Sequence, residues 1–215
     1  MKRLQGTSIL WVSGALLLFV VFSAVRIGTA DFLSGYVRDE IAAWSMAPPD
    51  ASDLAAVSRA LDLAQWISPG NPDHYADMAR LDLVRSGMPG TTAAEKIELL
   101  RHGLKPIRQA IALRPASSYS WAILLRLKNE LGEYDAEFRR SLERTVTLGP
   151  WEPELQLVVA DVGWSAWAVL PGAEREMVRE NLVRGMKRQA EAMLAIAQAH
   201  RDDCGGVGMD AGCSR

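Results

Sequence analysis

The sequence predicts an all-α chain: an N-terminal transmembrane helix followed by a solenoid of helical hairpins. Three observations predict it. An uncharged apolar run fills residues 4–25, apolar residues beyond Asp31 recur at helical spacing with almost no period-2 alternation, and a proline followed six residues on by an aromatic occurs twice, 46 residues apart.

The first element is the anchor. Lys2 and Arg3 precede the run Leu4 to Val25, whose centre reads ILWVSGALLLFVVFSAV, and Arg26 follows it. A stretch of this length crosses the ~30 Å hydrocarbon layer as a helix, here through residues 8–25. The competing reading is a signal peptide cut after IGTA, residues 27–30. Such peptides have an apolar region of roughly 7–15 residues. This run is longer, and Arg26 lies between it and the cut, so the anchor is the preferred reading. The basic pair before the span predicts a cytoplasmic N-terminus at a bacterial inner membrane, with the bulk of the chain in the periplasm. The expected division is residues 1–30 as cytoplasmic tip and anchor, 31–200 as the helical domain and 201–215 as a flexible tail.

Tail residues Cys204 and Cys213 are able to close a disulfide loop in an oxidising compartment or to remain free thiols. Zinc bound through His200 and these cysteines would lack a fourth ligand. A net charge of −2 gives no electrostatic footprint for nucleic acid.

The helices follow in order. Pro48-Pro49 breaks the chain, and Asp50 or Ser52 caps a helix bearing Leu54, Val57, Leu61 and Ala64. Thr92 and Glu95 form a capping box; Gly132, Gly149 and Pro171-Gly172 mark further stops. Ala64, Pro69 and Tyr75 recur 46 residues later as Ala110, Pro115 and Trp121. Pro150 follows Pro115 by 35 residues, with Thr145 in the small-residue position and Gly132 at the inner turn. These are tetratricopeptide spacings: a small residue where helices cross, a proline ending the second helix, and an aromatic opening the next. The longer first interval is attributed to an inserted loop, SGMPGTTAAE, and Gly103 and Pro106 should loosen and interrupt the middle unit with a kink near Pro106. Residues 155–170, LQLVVADVGWSAWAVL, are too short for a comfortable span and read as a buried helix. One final helix from Glu174 to about His200, with Val178, Leu182, Met186, Met193 and Ile196 on one side, should cap the array.

The stretch from Leu131 to Trp164 resembles the VpsP family of bacterial exopolysaccharide-biosynthesis proteins. The matching positions are Gly132, Tyr134, Asp135, Glu137 and Phe138, then Leu148, Gly149, Pro150, Trp151, Glu152 and Pro153. The resemblance implies an N-terminal membrane segment, a tetratricopeptide-like body and an accessory role in polysaccharide assembly, with no enzymatic activity. It extends in detail from Ala110 to Gln198; the cysteine-bearing tail does not map onto it.

No catalytic or cofactor-binding residues are predicted. His74, His102 and His200 are scattered, and H-E-x-x-H, G-x-S-x-G and Gly-rich phosphate loops are missing. Glu133, Asp135 and Glu137 read as acids at a helix N-terminus. Asp161 reads as bonded to an indole N–H or a backbone end. Trp121, Trp164 and Trp167 read as core, and Trp151 as the tryptophan with most reason to be exposed. Basic residues Arg101, His102, Lys105 and Arg108, then Arg139, Arg140 and Arg144, fit either a groove for an acidic polymer or lipid-linked pyrophosphate, or a solvated face balanced by Glu95, Glu98, Glu137 and Glu143. The second is preferred.

The candidate interaction surface is Trp151, Glu152, Arg101, Lys105, Arg108, Arg139 and Arg140. The expected partners are membrane components of a polysaccharide polymerisation and export machine, bound by a scaffold. The alternatives are a module holding the nascent polysaccharide, or an assembly factor for a cytochrome or pilus system.

Overall fold

The computed structural model describes the backbone of residues 2–44 and 48–203. Among the described residues there are nine helices and no strand: α1 (Lys2–Ala43), α2 (Ala51–Ile67), α3 (Pro72–Ser86), α4 (Ala93–Leu113), α5 (Ser118–Glu130), α6 (Ala136–Leu148), α7 (Pro153–Ala166), α8 (Gly172–Arg188) and α9 (Ala190–Asp203). The chain divides into two compact units, Met1–Asp77 and Met78–Arg215.

In the first unit, α1 runs unbroken past the expected boundary at residue 30. What changes there is the helix surface. Leu16 to Phe22 stand open on all sides, whereas Ala30, Ser34, Val37 and Ile41 are buried at spacings of four, three and four. That stripe meets α2, which buries Val57, Ala60, Leu61 and Ala64. Asp50 begins α2 with a reciprocal cap: its carboxylate accepts the Asp53 N–H, and the Asp53 carboxylate accepts the Asp50 N–H.

In the second unit the core is built from Leu125, Phe138, Leu142, Val146, Val159, Val162 and Val178 on α5 to α8. Three expectations are corrected here. Pro106 does not interrupt α4, which continues to Leu113. Proline removes one ladder bond, but Gly103, Leu104, Pro106 and Ile107 are all buried, and their packing keeps the helix going. The long first interval is not an inserted loop either. Residues 87–92 make a link only one residue longer than 131–135, and the surplus lies chiefly in α4, with 21 residues against 13 in α6. The final helix is two helices, broken at Gln189.

The same stop is used four times. Ser68, Arg114, Gly149 and Gln189 have φ/ψ of −130/71°, −137/78°, −131/49° and −149/54°. Each donates its N–H to the carbonyl four residues back, on Ala64, Ala110, Thr145 and Gly185, at 2.8–3.1 Å. All four acceptors are buried small residues. After the first three, the next helix starts eight positions beyond the small residue, at Pro72, Ser118 and Pro153. Gln189 is thus a repeat end followed by Ala190 where the others have proline.

One glycine on α7 and one on α8 are in close approach to a neighbouring side chain. A Cβ on Gly163 would overlap the Val178 side chain, and one on Gly185 would overlap the end of Met193. Valine is stiff, whereas methionine swings aside. Gly163→Ala should therefore cost about 1–3 kcal/mol by overpacking, despite the gain in helix propensity. Gly185→Ala should stay within about 1 kcal/mol of the parent. Urea denaturation of the solubilised full chain, followed by circular dichroism, separates the two; equal effects would contradict this packing account.

Candidate functional site

The proline–aromatic pair is consumed by the fold. The Trp121 indole N–H donates to the Pro115 carbonyl at 2.8 Å, and six residues past Pro150 the Gln156 amide donates to the Pro150 carbonyl at 3.0 Å. A helix-stopping proline exposes a carbonyl that the helix no longer satisfies; the side chain six positions on supplies the donor. Trp121 and Gln156 are both buried, and Tyr75 holds the same offset from Pro69, half-buried.

The G-x-Y-D-x-E-F stretch makes the inner turn. Gly132 has φ +67°, a conformation that favours glycine, and the N–H groups of Gly132 and Glu133 donate to the Asn129 and Lys128 carbonyls at the end of α5. Tyr134 packs edge-on against the buried Phe138, with ring centroids 5.0 Å apart. This turn brings carboxylates to Lys128, a side chain only 3% exposed: Nζ lies 2.6 Å from both Glu133 and Asp135 and 3.5 Å from Glu137. The other Asp135 oxygen accepts the Phe138 N–H as the α6 cap. Arg108 binds Glu137 through both guanidinium arms, at 2.8 and 2.7 Å.

Burial opposes the Lys128 charge, but hydrogen bonds to Asp135 and Glu133 outweigh it and raise its pKa. Burial likewise opposes the Asp135 charge, yet Lys128 and the Phe138 N–H hold this carboxyl below its ordinary value. The Arg108 pair is the main reason Glu137 is held low. Sequence reading missed Lys128. Its signal is a lysine five and seven positions ahead of two acids across a glycine turn.

An open groove of about 400 Å³ lies alongside, lined by Ala136, Arg139, Arg140, Glu143 and Arg144 of α6 and by Glu174 and Met177 of α8. The Arg140 guanidinium stacks 5.6 Å from the Trp121 ring centroid. Arg139 and Arg144 are exposed and make no ion pair with a described residue. The groove thus gathers two of the expected surface residues, Arg139 and Arg140, and adds Arg144. It does not gather the rest. Arg101 and Lys105 are exposed on α4 outside this lining, Arg108 is committed to Glu137, and His102 sits 2.7 Å from the buried Asp82.

In the L-G-P-W-E-P stretch most groups also have structural duties. Gly149 admits Leu155 and Ser118, Pro150 binds Gln156, Glu152 accepts the Tyr119 hydroxyl, and the Trp151 and Pro153 carbonyls accept from Arg188 and Gln189. The Trp151 ring is the exception, 62% exposed. Trp164 and Trp167 are partly buried, and Arg175 and Arg179 lie over the Trp167 ring. Asp161 corrects its expectation: it is half-exposed and bonded to His200 of α9 at 2.8 Å, not to an indole or a helix end. Among the described residues no three His, Cys, Asp or Glu side chains converge as metal ligands. Cys204 and Cys213 lie outside the described residues.

No family model matches the chain, and no curated protein does. A solved structure of TTC0263, a thermophilic TPR protein from Thermus thermophilus, is similar at 13% identity and a TM-score of 0.49, over 83% of this chain and 93% of that one.

The Lys128 cluster makes a testable prediction. Lys128→Met removes charged hydrogen bonds worth about 2 kcal/mol, less than a fully buried pair, since its carboxylates are partly exposed. The contribution of a depressed carboxyl is present above its unfolded pKa and is lost as pH falls through the lower folded value. The stability gap between parent and variant should therefore narrow below about pH 4. A gap that stays constant down to acid unfolding would show that these carboxylates do not hold Lys128.

Proposed function

We propose that the chain is a non-enzymatic scaffold that holds partner proteins against its helical repeats. The observation carrying this reading is the groove between α6 and α8, where Arg139 and Arg144 keep free guanidinium groups beside an apolar Met177 contact. Such a lining complements an acidic, partly apolar segment of a partner. Among the described residues one helix is long and apolar enough to cross a membrane, within Ser13–Ala43, which supports a tethered scaffold. We further propose that the tether lies in a bacterial inner membrane, with the repeats periplasmic and the partners drawn from an exopolysaccharide polymerisation and export machine. That narrower reading rests on the VpsP-like stretches and on the Lys2-Arg3 pair before the apolar run.

A second reading has one observation in its favour. The exposed Trp151 ring offers a flat face on which a sugar would stack, so the chain would hold nascent polysaccharide itself.

Arg139→Glu combined with Arg144→Glu tests the first reading, because neither side chain supports the fold. Thermal unfolding should be unchanged. Mild cross-linking and capture from membranes should lose a polymerase, chain-length regulator or flippase that the parent recovers, while Arg101→Glu with Lys105→Glu should retain it. Capture unaffected by the groove variant, together with oligosaccharide quenching of fluorescence that disappears in Trp151→Ala, would favour the glycan reading.

A further inference from the structure

Trp66 is 80% exposed, the most open of the described large apolar side chains, and Leu63, one turn before it, is 46% exposed. Single exposed apolar residues are ordinary. The position of this pair is what singles it out. Both lie at the C-terminal end of α2, and α2 packs on α1 after a link of only residues 44–50, which makes the two helices an antiparallel hairpin. At ~1.5 Å per residue, the seventeen residues of α2 descend about 25 Å alongside α1. Counting the same distance back from Ala43 reaches the neighbourhood of Ile27, just past Arg26 and the end of the uncharged run.

A second observation agrees with this antiparallel course. His74, fully buried at the start of α3, has its pKa lowered chiefly by burial, and among the charges it feels are those of Asp31 and Arg38 on α1. The chain leaving α2 has therefore come back alongside the Asp31–Arg38 stretch of α1. Around the level of Ile27 α1 itself exposes Val25 and Ile27 at 63% and 60%, and Phe32 at 75%.

We propose that the end of α2 is a membrane-interface contact: Trp66 and Leu63 enter the lipid headgroup region beside the exit of α1. An indole suits that layer because its ring is apolar and its N–H still meets polar groups, and arginine at the end of a span marks the same depth. The exposed Arg59, nearer the middle of α2, remains on the water side, and the exposed Asp62, one turn before Trp66, lies at the outer edge of the headgroup layer. The lipid surface is the occupant because the patch continues the exposed apolar surface of α1. The contact fixes the hairpin against rotation about the span, which a single helix alone does not prevent. It rests on the proposed reading of α1 as a membrane anchor.

The test uses the full chain with Cys204→Ser and Cys213→Ser, reconstituted in phosphatidylcholine–phosphatidylglycerol vesicles. Single cysteines at Trp66, Leu63, Val20 and Ala51 carry a bimane label, and nitroxide lipids spin-labelled near the headgroup or at mid-chain serve as quenchers. Labels at Trp66 and Leu63 should shift to the blue and lose more intensity to the headgroup-proximal nitroxide, Val20 more to the mid-chain one, and Ala51 to neither. Quenching at Val20 with none at Trp66 and Leu63 would overturn the interface contact and leave the anchor standing. Absence of quenching at Val20 would overturn both.

Discussion

The constraint on which the repeat depends is the disposal of backbone polar groups where one hairpin ends and the next begins. A helix end leaves carbonyls without partners, and at each stop here the last of them to be satisfied belongs to a buried small residue one turn back. The chain meets this by turning at one residue with φ near −135°, whose N–H still reaches back to a small residue. Small side chains at 64, 110, 145 and 185 let the next segment pass close enough. Proline then stops the ladder, and a donor six residues on takes up its carbonyl. Trp121 and Gln156 perform this in one geometry with different chemistry, so what these two share is a buried N–H donor and not an aromatic ring.

The inner turn solves the corresponding problem at the other end of the hairpin. There the left-handed glycine closes α5 and Asp135 opens α6, which presents acids to the positive start of that helix. Lys128 turns this local arrangement into a tertiary one. Its buried ammonium draws in the turn carboxylates, while Arg108 holds Glu137 from a different helix. With those acids committed inward, the outward arginines of α6 keep their donors for something else. The distinction between structural and available charge thus comes from which carboxylates Lys128 and Arg108 take.

Much of this fold was legible in the sequence, for identifiable reasons. Helical periodicity, the Thr92–Glu95 box and the Pro115–Trp121 offset each depend on residues a few positions apart, so they are visible locally. The break at Gln189 was hidden because alanine follows it where proline follows the other stops. Pro106 misled in the opposite direction: its local cost is real, but buried neighbours on α4 outweigh it. The candidate site was less legible. Arg139 and Arg140 were picked out as basic, yet nothing local reveals that Arg108 is occupied, because its partner Glu137 lies 29 residues away. Periodicity identifies the face on which a charge sits, and the fold decides who meets it.

One helix, α1, carries two kinds of surface along its length, and the sequence change that does this is slight. From Ser13 to Thr29 the apolar side chains are open all round, on a helix long and apolar enough to cross a membrane. From Ala30 onward small or branched residues, Ala30, Ser34, Val37 and Ile41, make a single stripe narrow enough for α2 to cover. Ser34 keeps its hydroxyl satisfied within the helix by donating to the Ala30 carbonyl at 3.0 Å, so it enters that seam without needing a partner on α2. Because no break separates the two regimes, α2 is held at a distance from the apolar run that α1 itself sets. A flexible linker would leave that distance free; a continuous helix lets the packing register of α2 fix it.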